Sequence, residues 1–471
     1  MLIGLITRCK DEYFIEEFCT YYLSQGVDTV YIIDDNSNDK TIYDNVVNNK
    51  RIEIRYEKDI IKNNYANSLY HEIKDSFDWM ICVDVDEFIA TKRNPNYIIR
   101  DELESTFKAF DCVKIPWVMM SCNSVEKSPE RILEENLYRW NHDLTHENKT
   151  STEHKFRCRF DRIEVKCIFR PRRFNDITDH HPINPIENTS VVDGICCRLS
   201  ELDPFYDQLR EEDIRNGFLL CYHYRIISID NSRKKIRTNT WYLNYSLQDL
   251  MSSDYNEIFD DTLRVKSLKS RIKFVHITKN AGTSIEKTGK RSGALWGIYD
   301  DVIKNQKTLF AVNPAYWHTP IRLFEKNPYS KNIILFTVVR NPYDRIVSEC
   351  FCKWGGKYKI KEFSNAEDFN DYITERVERC HSYDFFHFTP QYLYTHNESD
   401  EQIIDHILRY ENLEDEFNSL MKSYDLNIRL DTHENKANKL YAVKDINQKN
   451  IDLINKTYHK DFVLFGYRKL G

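Results

Sequence analysis

The chain has 471 residues, more than one hydrophobic core usually serves, so we expect two domains of roughly 200 to 250 residues each. Hydrophobic residues make up 41% of the sequence and aromatic residues 13%, which excludes an intrinsically disordered protein. The formal charge of -7 at pH 7 argues against nucleic acid as a partner.

The sequence contains no recognisable targeting or membrane segment. Its first residues, MLIGLITRCKDE, lack the apolar core and cleavage site of a signal peptide, and no run of about 18 or more apolar residues follows. We therefore expect a cytoplasmic protein without a transmembrane segment. The 13 cysteines are scattered and include no C-x-x-C pair, so we expect reduced, mostly buried thiols, with a zinc site as the minor alternative.

The first part of the chain alternates predicted strands with predicted helices. The strands are expected at 2–6, 30–33, 51–57 and 79–83, and the helices at about 14–22 and 65–77. This alternation predicts an α/β domain with a largely parallel sheet, and such sheets bind ligands at the carboxyl ends of their strands. Acidic clusters at 34–39 and 84–87 follow two of these strands.

The segment DVDEF places Asp84 and Asp86 two residues apart, so strand geometry directs both carboxylates to the same side. Two convergent carboxylates repel each other unless a cation lies between them. A divalent metal that bridges a nucleotide diphosphate would remove this repulsion, because hard cations prefer carboxylate and phosphate oxygens. A solvated loop is the simpler interpretation of a lone D-x-D, but the apolar strand before it and the second acidic turn at 34–36 favour a metal site.

The first half resembles the GT-A glycosyltransferases, especially their family 2-like and family 92-like groups. The resemblance is carried by RCKDEYFIEEFCTYYLSQGVDTVYIIDDNSNDKT (8–41), WMICVDVDEF (79–88) and CYHYRIIS (221–228). It implies a Rossmann-like nucleotide-sugar fold with Mn²⁺ or Mg²⁺ and a nucleotide-sugar donor, most simply a UDP-sugar. Asp34 or Asp35 would then contact the nucleoside, Asp84 the ribose or the metal, and Asp86 the metal.

The same resemblance implies that His223 completes the metal shell or contacts the diphosphate, although a hydrogen-bonded core histidine is an equal alternative. His180 and His181 compete for this role. Family members generally invert the anomeric centre, which requires a carboxylate base for the acceptor hydroxyl. The sequence does not locate this base, for which the candidates are Glu87, Asp179 and Glu187.

A boundary between two domains is expected where the hydrophobic pattern weakens, between about 246 and 272. Before it, residues 123–160 are polar and weakly periodic, which indicates an insertion, and short strands return at 161–225. We predict a first domain at 1–255, a linker at 256–270 and a second domain at 271–471.

The second half begins with KFVHITKNAGTSIE (273–286), a predicted strand, a small-residue turn and a helix. Its lysine precedes the glycine, whereas the nucleotide-binding P-loop places lysine after it, so a kinase or ATPase is disfavoured. Backbone amides in the turn and the N-terminus of the helix still suit an anion. The simpler interpretation is a capped helix with an exposed Lys279.

A second strand-to-helix segment, NIILFTVVRNPYDRIVSECF (332–351), ends its strand in Arg340. Together the two segments resemble the carbohydrate sulfotransferases of the heparan 2-O-sulfotransferase-like family. Further matching segments are YWHTPI (316–321), TPQYLY (389–394), RYENLEDEF (409–417) and DFVLFGY (461–467). The resemblance implies a P-loop-like fold with a central parallel sheet and the donor PAPS, 3'-phosphoadenosine 5'-phosphosulfate. Further helices are predicted at about 365–379 and 399–409.

The resemblance also implies roles for individual residues of the second half. Lys279 would lie against the sulfate, and His318 would be the catalytic base that deprotonates the acceptor hydroxyl. His276 is expected to be structural, and Glu411 either orders a loop or contacts the substrate. The remaining donor-binding residues are Asn280, Ala281, Gly282, Thr283 and Ser284 at the 5'-phosphate, and Arg340 and Ser348 at the 3'-phosphate.

These observations predict a bifunctional enzyme that adds a sugar with its first half and sulfates a carbohydrate hydroxyl with its second. Its partner would be a glycan, glycoprotein or glycolipid acceptor. One alternative is a carbohydrate sulfotransferase whose first half is a non-catalytic glycan-binding module. Another is a glycan-binding scaffold that retains both folds without activity.

Overall fold

A computed structural model describes the chain as two compact units, Met1–Leu268 and Lys269–Gly471. The described residues are 1–58, 64–144, 146, 163–195, 202–206, 208–239, 242, 244–304, 306–308, 315–352, 363–381, 386–430 and 439–471. Residues 147–160 of the predicted insertion therefore lie outside them. The described cysteines are free thiols, most of them buried, as predicted.

The first unit is built on a mixed sheet that contains twelve strands among the described residues. The strands are β1 (Ile3–Cys9), β2 (Thr29–Asp35), β3 (Ile52–Glu57), β4 (Trp79–Cys82), β5 (Glu87–Thr91), β6 (Cys112–Ser121), β7 (Tyr138–Arg139), β8 (Ile163–Phe169), β11 (Val191–Asp193), β12 (Phe205–Tyr206), β13 (Leu219–His223) and β14 (Ile258–Phe259); β9 (Phe174–Ile177) and β10 (Pro182–Pro185) form a separate hairpin.

Its helices lie between these strands. They are α1 (Ile15–Ser24), α2 (Tyr65–Ile73), α3 (Ile99–Glu104), α4 (Ile132–Glu135), α5 (Glu211–Asn216), α6 (Ile229–Thr238), α7 (Leu247–Met251) and α8 (Thr262–Arg271). The aromatic face of α1 packs on Phe88 of β5, with Phe18 and Tyr21 at ring-centroid distances of 5.6 and 5.4 Å. This contact holds the helix against the sheet beside the DVDEF segment.

A parallel core, β3-β2-β1-β4, brings the predicted ligand-binding strand ends to one edge of the sheet. Cys9 of β1 pairs with Asp34 of β2, and Ile6 of β1 pairs with Cys82 of β4. The strands that follow are largely antiparallel, so the predicted parallel sheet accounts for its first part only. The register of β13 against β5 pairs His223 with Glu87 and so places the histidine beside DVDEF.

Residues 256–270, which we predicted as a linker, contain β14 and most of α8. The sequence of α8 is polar in part because Lys266 is used inside the first unit. Lys266 is 5% exposed, and its Nζ donates hydrogen bonds to Thr91 Oγ1 at 2.6 Å and to the Tyr97 carbonyl at 3.0 Å. Because a lysine occupies this buried position, the sequence of the helix lacks the periodic apolar residues by which a helix is usually predicted.

The second unit has a parallel three-stranded sheet in the order β15-β16-β17. Its strands are β15 (Ile272–Val275), β16 (Ile334–Val339) and β17 (His406–Arg409), and its helices are α9 (Gly282–Arg291), α10 (Asp301–Lys304), α11 (Pro342–Cys350), α12 (Ala366–Glu378), α13 (Tyr392–Thr395), α14 (Leu413–Ser423), α15 (Gln448–Thr457) and α16 (His459–Leu464). The helix predicted at 399–409 is wrong, because residues 406–409 of this segment form β17, which pairs with β16. No helix in the described parts of the chain has the length and apolar sequence needed to cross a bilayer.

Candidate active sites

The carboxylates of DVDEF in the first unit face basic side chains from three distant segments. Asp84 accepts hydrogen bonds from Arg8 Nη2 at 2.7 Å and from Lys166 Nζ at 2.9 Å, and Asp86 accepts one from Lys235 Nζ at 2.9 Å. Although burial alone raises the pKa of Asp84, Arg8 and Lys166 hold it well below its usual value. The repulsion between the two carboxylates is therefore offset by protein cations.

Asp86 and His223 have the geometry of two ligands for one cation. His223 Nε2 lies 3.7 Å from Asp86 Oδ1, and bonds of about 2.0–2.2 Å from one ion would reach both atoms. Burial lowers the pKa of His223 to about 3, so the ring is neutral and able to ligate, and its buried Nδ1 has no hydrogen-bond partner. These two residues fit the divalent metal better than Asp84 does, because both oxygens of Asp84 already bind cations.

The acidic turn after β2 separates the roles of its two aspartates. Asp34 is fully buried and accepts hydrogen bonds from Tyr43 Oη at 2.6 Å and the Ser37 amide at 3.1 Å, with Lys40 as a third partner. Asp35 is half-buried, and its carboxylate lies 3.6 Å from Lys10 Nζ. Asp34 thus holds the turn, and Asp35 is the carboxylate that remains available for a nucleoside.

The three candidate bases occupy different environments. Glu87 is fully buried, accepts a hydrogen bond from the Asp84 amide at 2.7 Å and lies 3.1 Å from Lys166 Nζ. It therefore holds the backbone of the DVDEF segment in place. Burial raises the pKa of Glu87. Asp179 is 44% exposed and lies 3.1 Å from Arg8 Nη1, and the same guanidinium donates to Asp84 through Nη2. Glu187 is exposed and contacts Arg173 through its backbone carbonyl, so Asp179 is the candidate that the structure brings to Asp84.

The two other histidines lie on a neighbouring loop. The His180 ring packs against Trp117 at 5.7 Å, and Trp117 also packs against His223 at 4.2 Å. Burial lowers the pKa of His180 to about 4. His181 is half-buried and bonds to Thr178. Of these two histidines, His180 is therefore the one that packs against the same tryptophan as His223.

Sequence reasoning missed the basic residues of this site. Lys166 is 1% exposed, and its position inside the apolar run RIEVKCIF was the signal that could have found it. Lys235 lies in a basic run of α6 and Arg8 at the end of β1, where solvated side chains are the usual interpretation. Glu12, the last residue of the segment RCKDE that begins with Arg8, is half-buried. Burial raises its pKa, the charge of Lys235 lowers it, and the charge of Asp86 raises it.

In the second unit, the turn between β15 and α9 has a backbone suited to an anion. Lys279 and Ala281 adopt left-handed conformations with φ of 66° and 63°, on either side of Asn280. Such alternation turns successive amides toward one concave surface, and the N-terminus of α9 adds its partial positive charge. The Asn280 side chain is buried and donates to the Val338 carbonyl at 2.7 Å, so it ties the turn to β16. Thr283 is half-buried and Ser284 is buried in the first turn of α9.

Arg340, at the end of β16, extends this cationic surface. Its Nη1 donates to the Lys279 carbonyl at 3.1 Å, and its guanidinium lies 3.9 Å from the Tyr410 ring centroid. Its Nε is buried without a hydrogen-bond partner. Burial lowers the pKa of Lys439, and the charges of Arg340 and Lys279 lower it further, whereas the charge of Asp344 raises it. Ser348 is half-buried on α11.

Glu411 orders the loop at the start of α11. Its carboxylate accepts hydrogen bonds from the Asn341 amide at 2.9 Å and from Tyr467 Oη at 2.9 Å. These contacts join three of the segments that carry the sulfotransferase resemblance. They favour the loop-ordering role over a substrate contact.

His318 lies in a short helix, Tyr316–His318, and packs edge-on against two other histidines. Its ring centroid is 4.4 Å from that of His276 and 5.4 Å from that of His387. The buried His318 Nδ1 has no hydrogen-bond partner, and burial lowers the pKa of this ring well below its usual value. A neutral imidazole of this kind is able to accept a proton.

His276 connects His318 to the anion-binding turn. Its Nδ1 lies 2.8 Å from Glu286 Oε1, which fixes the ring orientation. A Cβ atom at position 282 would lie 1.9 Å from His276 Nε2, so only glycine permits this contact. Gly282 therefore serves ring packing as well as the approach of an anion.

Comparison with known proteins matches the two units to two transferase families. Residues 11–263 match the model of glycosyltransferase family 92, and residues 265–468 match the model of the sulfotransferase family. The chain belongs to glycosyltransferase family 92. Its second unit carries the sulfotransferase match, so both units belong to transferase families, and the predicted resemblances are confirmed. The two-unit α/β architecture agrees with this division.

Solved structures align with this family 92 chain only distantly. TarS residues 1–349 of S. aureus are 12% identical, with 61% of this chain and 77% of that chain covered and a TM-score of 0.24. HddC of Yersinia pseudotuberculosis is 10% identical, with 46% and 98% covered and a TM-score of 0.22. GalNAc-T7, solved with UDP, GalNAc and Mn²⁺, is 10% identical, with 50% and 48% covered and a TM-score of 0.20. No curated protein matches the chain.

Replacing Gly282 with alanine is expected to displace His276 from the turn. The added Cβ would overlap His276 Nε2, and overpacking of this kind costs about 1–3 kcal/mol of unfolding free energy. Urea unfolding of the second unit and the NMR resonances of His276 measure the effect. Gly471→Ala is the control, because nothing lies within 4 Å of its added Cβ. Unchanged stability together with unchanged His276 resonances would contradict the proposed contact.

Proposed function

We propose that the chain is a bifunctional glycan-modifying enzyme. Its first unit transfers a sugar from a nucleotide-sugar, and its second unit transfers a sulfuryl group from PAPS to a carbohydrate hydroxyl. The observation that carries the proposal is that each family match coincides with a cluster of chemically appropriate side chains at the carboxyl edge of a parallel sheet.

In the first unit, Asp86 and His223 would hold a divalent metal, which would neutralise charge on the departing nucleoside diphosphate. Asp35 would bind the nucleoside. Arg8 and Lys166 keep Asp84 ionised and fixed, so that it faces the ribose side of the donor rather than moving toward the metal.

Asp179 is the proposed base of the first unit. Arg8 Nη1 lies 3.1 Å from its carboxylate, and the same guanidinium binds Asp84, so Asp179 is held at the donor site. With 44% of its side chain exposed, it is accessible to an acceptor hydroxyl, whereas the fully buried Glu87 is not. Asp179 would take the acceptor proton as the new glycosidic bond forms and the bond to the diphosphate breaks.

In the second unit, the turn amides of residues 279–282, with Thr283 and Ser284, would hold the 5'-phosphate of PAPS. Lys279 would lie against the sulfate, and Arg340 with Ser348 would bind the 3'-phosphate, for which the planar guanidinium is well suited. Positive charge from these side chains stabilises the negative charge that moves onto the leaving 5'-phosphate.

His318 would accept the proton of the acceptor hydroxyl. The hydroxyl oxygen forms its bond to sulfur while the bond between sulfur and the bridging phosphate oxygen breaks, and the adenosine bisphosphate leaves. His276, held by Glu286 at 2.8 Å, positions the His318 ring through their edge-on contact at 4.4 Å.

Asp86→Asn is expected to abolish manganese-dependent hydrolysis of UDP-sugars, because it removes a charged metal ligand. We expect a loss of at least about a hundredfold, together with loss of the manganese-dependent thermal shift that UDP produces. Glu187→Gln is the control, since this exposed residue makes its contact through the backbone. Absence of hydrolysis in the unmodified chain, with every common UDP-sugar and manganese, would overturn the glycosyltransferase half of the proposal.

Lys279→Ala is expected to remove sulfuryl transfer while sugar transfer continues. Loss of one positive charge at the transferring group should reduce the sulfation rate by roughly 10²–10³. Transfer of ³⁵S from labelled PAPS and release of UDP are measured on the same preparation. Lys290→Ala, at the exposed end of α9, is the matched control. If Lys279→Ala lowered both activities equally, the two sites would not be independent.

The sulfuryl-transfer rate is expected to persist at acidic pH. His318 must be neutral to accept a proton, and burial lowers its pKa, so the active form survives below the usual histidine pKa of about 6.5. We expect the rate at saturating PAPS to change little from about pH 7.5 to about pH 5.5, where an ordinary histidine would lose about tenfold. The affinity for adenosine 3',5'-bisphosphate is measured over the same pH range. It distinguishes weaker binding of the donor from protonation of His318 as the cause of any fall in rate. A rate that falls with an apparent pKa near 6.5 would contradict this assignment.

A further inference from the structure

A second cluster of polar side chains lies in the second unit, beyond the residues assigned to the transfer reaction. It consists of Glu349 in the last turn of α11, Cys352 just after that helix, and His387 in the short helix Phe386–Phe388. One potential ligand atom from each residue lies within 4.8 Å of the other two. Among the described residues, this is the one group of three or more histidine, cysteine or acidic side chains with such spacing.

Glu349 is the residue that marks this cluster as a binding site. Its side chain is fully buried, and Oε1 lies 2.6 Å from His387 Nδ1. Its other oxygen, Oε2, is buried without any hydrogen-bond partner. A buried carboxylate oxygen without a partner is costly, because it has lost its water and gained no compensating contact. A cation bound at Oε2 would supply that contact.

We propose that Glu349, Cys352 and His387 bind a zinc ion. Zinc accepts thiolate, imidazole and carboxylate ligands together, and three protein ligands leave one position for water. Calcium and magnesium are poor matches, since they prefer oxygen ligands throughout. Glu349 and His387 are buried, whereas Cys352 is half-buried.

Loading the site requires protons to leave. The thiol proton of Cys352 is released as the sulfur–zinc bond forms, and the proton between His387 Nδ1 and Glu349 Oε1 is displaced when these atoms turn to the ion. No oxidant or reductant takes part, and the zinc ion keeps its charge. The site does not depend on the proposed sulfuryl transfer, so it is testable whatever the activity of the chain.

The ion would connect the end of α11 to the segment that supports the anion-binding turn. The His387 carbonyl accepts hydrogen bonds from Thr278 Oγ1 and from Arg345 Nη2, both at 3.1 Å. Thr278 directly precedes Lys279, and Arg345 lies on the first turns of α11. Zinc would therefore fix the distance between the two strand-to-helix segments of the second unit.

The test is the metal content of the untagged full chain after purification without chelators. Inductively coupled plasma mass spectrometry is expected to find about one zinc ion per chain. Cys352→Ser and His387→Asn are expected to lower this content at least about tenfold. Cys350→Ser is the matched control, because this buried cysteine lies two residues away and outside the cluster. A wild-type chain that neither retains zinc nor takes it from a chromophoric chelator would overturn the proposal, as would unchanged zinc in Cys352→Ser.

A second measurement covers the case in which a variant fails to fold, as judged by circular dichroism. Cobalt is added to the metal-free wild-type chain, and Cys352 is then labelled with iodoacetamide and located by peptide mass spectrometry. The expected result is a thiolate-to-cobalt charge-transfer band together with slower labelling of Cys352 when zinc or cobalt is bound. Labelling of Cys352 at the same rate with and without metal would overturn the proposal.

Discussion

The ammonium group of Lys166 is the interaction on which the first site depends. It is almost fully buried and lies within 3.1 Å of the carboxylates of both Asp84 and Glu87. Without this cation the two acidic groups would repel each other and would have lost their hydration without compensation. Leaving a buried charge unpaired in this way lowers the free energy of unfolding by about 3–5 kcal/mol. With Lys166 in place, the turn between β4 and β5 is rigid, and Asp86 is presented next to His223. Charge compensation thus precedes any binding of donor or metal.

The second unit solves a different problem with an equally local constraint. Its anion-binding turn is held by tight packing of Gly282 on His276 and by the side chain of Asn280. Arg340 contacts the turn at the Lys279 carbonyl. The left-handed conformations of Lys279 and Ala281 are strained for residues with a Cβ atom, and the structure tolerates them because β15 and α9 fix the ends of the turn and Asn280 ties it to β16. The first site therefore depends on a buried lysine beneath its carboxylates, whereas the second places Lys279 and the largely buried Arg340 beside a concave backbone.

The order of strands and helices around both sites could be predicted from the sequence, because alternation of apolar runs and helical patterns is a local property. The positions of Asp84, Asp86, Lys279 and Arg340 at strand ends followed from the same patterns. The partners of these residues could not be predicted, since Lys166 reaches DVDEF through the pairing of β8 with β4, and Lys235 reaches it from α6, both far away in the chain. The roles of Asp34 and Asp35 were also beyond the sequence, because neighbouring residues differ in burial only once the turn is folded. One local prediction was wrong, because the short apolar run of β17 was interpreted as a helix. The structure adds that residues 262–270 of the predicted linker lie in α8.

The pairing of β13 has a further consequence for how this family 92 unit could diversify. His223 pairs with Glu87 on one side and with Met119 on the other, so its position is set by two strands rather than by the chain that leads to it. A shift by one residue would turn the histidine to the opposite face of the sheet. The segment between β6 and β13 carries β8, which pairs with β4 and β6 and brings Lys166 to Asp84, so a change in its length is tolerated only where these pairings are kept. The pair formed by Asp86 and His223 is thus surrounded by strands whose registers are fixed on both sides.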